Sequence, residues 1–75
     1  MPDLARSRFD AVLTRTLEVL DLLETVAAEC RREAREGGRL GEERLWQMAI
    51  GAVRRSIGEV EAAKQLALLT TEAGR

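Results

Sequence analysis

The sequence predicts an all-α protein, an antiparallel two-helix hairpin with coiled-coil-like packing. Three observations carry this. Leu, Ala, Glu and Arg dominate a chain with a single Pro, and these are helix formers. Apolar residues recur at steps of three and four through both halves. The one interior turn signal is Gly37-Gly38-Arg39-Leu40-Gly41, close to the midpoint.

The first helix is expected over about 4–36. Phe9, Val12, Leu13, Leu17, Leu20, Leu23, Ala27, Cys30 and Ala34 fall on one face. Val19, Leu22 and Val26 widen one edge of that face and Leu17 the other. The apolar sector is then broader than a strict coiled-coil seam and calls for two neighbours. Two starts are consistent with the residues: Asp3 as N-cap, or a capping box of Ser7 with Asp10. Arg31, Arg32 and Arg35 suit the negative end of the helix dipole, and Arg32 can pair with Glu36 one turn on.

The loop is expected over 37–41, with Gly41 capping the second helix and Glu42 and Glu43 in its first turn. The second helix is expected over about 42–71. Its large residues are Trp46, Ile50, Val53, Ile57, Val60 and Leu68, beside a row of small ones, Ala49, Ala52, Ser56, Ala63 and Ala67. Gly51 and Gly58 are either tolerated surface positions or points of close backbone approach. Ser56 with Glu59 repeats the capping-box pattern, which leaves open a break of the helix near Ser56. The whole of 1–75 reads as one helical-hairpin domain.

Composition narrows the function. The chain has 75 residues, no His and no Tyr, and one Lys, Lys64, so acid–base catalysis would fall to carboxylates. The expectation is no enzyme, no metal and no cofactor. The pairs Asp21/Glu24 and Glu29/Glu33 lie one turn apart, which is ordinary on a solvated helix surface. Cys30 has no partner for an internal disulfide and no His to activate it; it reads as a small hydrophobe in a reducing compartment. Residues 1–6 carry no signal-peptide pattern, and no apolar run reaches membrane-span length. The expected location is cytoplasmic. With 12 basic and 13 acidic side chains the net charge is −1, against a nucleic-acid partner. Only Arg31, Arg32, Arg35, Arg39 and Arg44 would form a basic patch.

The positive expectation is a protein partner. Two helices hide only one stripe of each other, and a chain this short has a small core. Leu13, Leu17, Leu20, Trp46, Ile50, Val53 and Ile57 are the expected partner-binding residues. Trp46 is either an anchor at the loop end or an interface hot spot. The alternative is a homo-oligomeric helical-hairpin adaptor or regulator, self-associating into a four-helix bundle, with a nucleic-acid link open through the arginines around the loop.

The run Ala27-Ala28-Glu29-Cys30-Arg31-Arg32-Glu33-Ala34-Arg35-Glu36, a short glycine turn and Glu43-Arg44-Leu45-Trp46-Gln47 resemble the small co-chaperones of type III secretion needle subunits, the YscE/PscE/AscE-like proteins. The resemblance covers about residues 20–60; residues 1–15 have no counterpart in it. It implies a catalytically silent cytoplasmic hairpin that pairs with a tetratricopeptide-like (TPR-like) chaperone. Together they would keep the needle subunit unpolymerised. It transfers a role and no individual site residue.

Overall fold

The computed structural model describes residues 3–73, which form two helices, α1 (Asp3–Glu36) and α2 (Leu40–Ala73). Each has 34 residues, so each is about 51 Å long at 1.5 Å per residue. They lie side by side as a rod of 57 × 16 × 10 Å. The expected all-α two-helix hairpin is the observed fold.

The turn is tighter than the glycine run suggests. Gly38 N–H donates to Arg35 C=O at 3.1 Å and Arg39 N–H to Ala34 C=O at 2.8 Å. That crossed pair is a Schellman motif, and it requires the left-handed residue that Gly38 supplies at φ 72°. Helix α2 then starts at once, with Glu43 N–H donating to Arg39 C=O at 2.9 Å. Gly41 therefore lies inside the first turn of α2 and caps nothing. Arg39 holds the N-cap position instead. Its Nε donates to Glu42 at 2.8 Å, and Glu42 also accepts from the Trp46 indole at 3.4 Å.

Helix α1 begins at Asp3, so Ser7 is interior rather than a cap; the Asp3 side chain and Gly74 lie outside what is described. Helix α2 is continuous through Ser56, whose hydroxyl donates back to Ala52 C=O at 3.1 Å instead of capping a new helix. An uninterrupted apolar period stabilises the straight helix over the break. Arg32 and Glu36 do not pair; the ion pairs among the described residues are Arg39–Glu42 and Arg54–Glu24.

The core is a single seam. On α1 it follows Leu13, Leu17, Leu20, Glu24, Ala27 and Ala34, a series of steps of four and three in which the position before Ala34 is the exposed Arg31. On α2 it follows Glu43, Trp46, Ile50, Val53, Ile57, Val60, Lys64 and Ala67. That alternation is the knobs-into-holes period of an antiparallel coiled coil. Folding about Gly38 places Leu20 level with Ile57, Ala27 with Ile50 and Ala34 with Glu43. Near the turn α1 supplies alanines against Trp46 and Ile50; farther from it Leu20 and Leu17 face Ile57 and Val60, and Leu13 faces Lys64. The deepest side chains are Ala34 (0% exposed), Ala27 (3%), Ile50 (5%) and Leu13 (8%).

The two mid-helix glycines are not packing devices. A Cβ at Gly58 would meet nothing within 4 Å, and one at Gly51 only the tip of Arg55 at 3.7 Å. Gly58→Ala is expected to stabilise the hairpin by about 1 kcal/mol through helix propensity. Thermal melts should show a rise of about 4–8 °C. Gly38→Ala is expected to lose about 1–2 kcal/mol in the same assay, because alanine must adopt the left-handed conformation.

Candidate partner interface

The seven residues expected to bind a partner lie on the intramolecular seam. Leu13 and Ile50 are buried there, and Leu17, Leu20, Trp46, Val53 and Ile57 are half-buried. Each helix already covers these residues of the other. The free apolar surface lies elsewhere.

On α1 it forms a second stripe, Phe9, Val12, Thr16, Val19, Leu23, Val26 and Cys30, again at alternating steps of three and four. This stripe is rotated from the seam by about 100°. Val12 is 65% and Val19 56% exposed, and Phe9, Leu23 and Val26 are exposed as well. Thr16 does not interrupt it, since its hydroxyl donates to Val12 C=O at 2.8 Å. Two open hollows run along the same stripe. One of about 370 Å3 is lined by Ala11, Val12, Arg15, Thr16, Val19 and Leu20. The other, about 310 Å3, is lined by Ala5, Arg8, Phe9 and Val12. Cys30, expected to be a buried hydrophobe, is a half-buried free thiol at the end of the stripe.

Helix α2 contributes to the same side. In an antiparallel pair, matching flanks of the two seams face the same way. The flank that carries the outer stripe of α1 carries Ala49, Ser56 and Ala63 on α2, bordered by Leu45, Ala52 and Leu66. The opposite flank is polar: Asp21, Arg32 and Arg35 on α1, Gln47, Arg54 and Glu61 on α2. The Arg54–Glu24 ion pair spans the helices there. An exposed pair of this kind adds only about 0–1 kcal/mol, but it marks that side as the wetted one.

The hairpin thus has a polar flank and, opposite it, a flank with an exposed apolar stripe, while Leu22, Met48 and Leu69 lie on the outer faces of the helices. Its surface measures 6098 Å2, whereas a compact globular monomer of this mass exposes about 4600 Å2. Its radius of gyration is 17.2 Å, against about 11 Å for a compact domain of this length. Both values reflect a rod of 57 × 16 × 10 Å held by one helix–helix seam.

In the sequence Val12, Val19 and Val26 are legible as an edge of the apolar face, but not as its free stripe. The signal that separates the stripes is the second three-four series, displaced by one residue from the first.

Among the described residues, no group of three or more His, Cys, Asp or Glu side chains is placed to hold a metal ion. No described helix is long and apolar enough to cross a membrane. The chain matches no protein-family model, no curated protein and no solved structure.

Proposed function

We propose that this chain is a binding module, a helical hairpin that completes its bundle against a helical protein partner. The observation that carries this is the exposed apolar stripe, Val12, Val19, Leu23 and Val26 above the small row of α2. A third helix in that groove would be held by apolar burial, at about 25 cal/mol per Å2 before association costs. The type III co-chaperone resemblance gives this module a specific setting. The partner is then a TPR-like chaperone, itself built of stacked helices, and the hairpin stabilises it while it shields a needle subunit in the cytoplasm. The second reading, self-association, is favoured by a separate observation taken up below.

Capture of partners on the tagged full chain from its native cytoplasm tests the proposal. A TPR-like protein accompanied by a short needle-type subunit is the expected result. Val19→Asp together with Leu23→Asp should lose it, and Arg54→Ala with Glu61→Ala, on the polar flank, should keep it. Capture unaffected by Val19→Asp and Leu23→Asp would sink the assignment of the face. Capture of neither protein by the unchanged chain would sink the secretion setting.

A further inference from the structure

Without another protein present, the apolar side has a complementary surface close at hand, which is the same side of a second copy. We infer that the chain forms a homodimer, a four-helix bundle in which the outer stripe of α1 packs on the small row of α2 from the other copy. The dyad runs parallel to the helices, and both turns lie at the same end.

Two features lead to this arrangement. The first is size. Val12, Val19, Leu23 and Val26 are large, and Ala49, Ala52, Ser56 and Ala63 are small. Large rows fill a four-helix core best against small ones. Packing α1 on α1 of the partner would set large on large and leave the two small rows facing across a gap. The second is charge. Glu59 is the single acidic residue between Leu45 and Leu66 of the α2 row, and it stands within about one helical turn of Arg15 at the edge of the α1 stripe. In the proposed bundle Glu59 of each copy meets Arg15 of the other. In the α1-on-α1 alternative Glu59 loses that partner. All four neighbouring helix pairs are then antiparallel, as in up-down bundles.

Area supports the same conclusion. Each hairpin exposes about 1500 Å2 more than a compact monomer of its mass. Covering that excess on both copies buries about 3000 Å2 in total, within the range of obligate homodimers. Net charge of −1 per chain offers little resistance to pairing.

The first test uses the unchanged chain in sedimentation equilibrium across micromolar concentrations. A mass of about 17 kDa, twice the chain mass of 8.3 kDa, is expected; a well-folded monomer throughout overturns the inference. The arrangement is then read by oxidative cross-linking on a Cys30→Ala background. Chains carrying Val26→Cys mixed with chains carrying Ala52→Cys should form a covalent dimer, since those positions are level across the interface. Efficient cross-linking of Val19→Cys with itself, and not of the mixed pair, would overturn the pairing of α1 with α2. Arg15→Glu and Glu59→Arg should each weaken the dimer about tenfold, and the double variant should recover most of the loss. The dimer covers the same face as the proposed chaperone contact, so a chaperone would have to displace the second copy. A dimer without capture of a chaperone counts against the co-chaperone reading alone, and capture by a strictly monomeric chain counts against the dimer alone.

Discussion

Ile50→Asp should abolish the folded hairpin. Ile50 is 5% exposed at the middle of the seam, level with Ala27, which is 3% exposed. A carboxylate there must give up most of its hydration, at a cost of several kcal/mol. A core of this size contributes only about 3–5 kcal/mol. Far-ultraviolet circular dichroism should show loss of the cooperative melt and much of the helical signal. Met48→Asp is the control, on the face of α2 opposite the seam at a position 65% exposed, and should melt like the unchanged chain. Ile50→Val should cost about 1 kcal/mol and keep the fold. A native melt for Ile50→Asp would mean that the seam runs through other residues.

Ala34→Leu is expected to open the loop end. Ala34 is fully buried, and its carbonyl accepts from Arg39 N–H in the turn, so the side chain is enclosed where the helices join the turn. Extra methylenes cannot be placed without separating the helices or breaking the turn. Overpacking of this kind costs about 1–3 kcal/mol. Thermal melts should fall by about 5–20 °C, and hydrogen exchange should quicken at Gly38 and Arg39 before it does in mid-helix. Ala62→Leu, on the exposed outer side of α2, should leave both readings nearly unchanged. An unshifted melt for Ala34→Leu would show that the turn does not hold the helices at that spacing.

Much of the fold was legible in the residues. The three-four period located both helices to within a few residues, because helix length is set by local propensity and caps. Gly37-Gly38 marked the reversal, because only glycine adopts the left-handed conformation there without strain. The start of α2 was misplaced by the presence of a third glycine. Gly41 resembles a cap by composition, but the Schellman hydrogen bonds close the turn two residues earlier. Ser56 resembled a cap in the same way, and its hydroxyl found the Ala52 carbonyl instead.

The candidate site was legible only in outline. The breadth of the α1 face announced a second neighbour, yet Leu13, Leu17 and Leu20 were assigned to it and they face α2. Two interleaved series one residue apart are equally apolar, and spacing alone does not say which one α2 covers. Gly51 and Gly58 presented the same ambiguity, which the open space at their Cβ positions resolved.

By itself the sequence determined two long amphipathic helices, their reversal at the glycine turn, and more apolar surface than two helices bury. Those are local or additive properties, fixed by propensity, periodicity and composition. Only the tertiary structure decided which stripe became the seam, which residues stand level along it, and that Phe9, Val12, Val19, Leu23 and Val26 stay exposed as a second stripe beside it. Burial belongs to pairs of surfaces. It is settled when the turn sets the register and one helix is laid against the other.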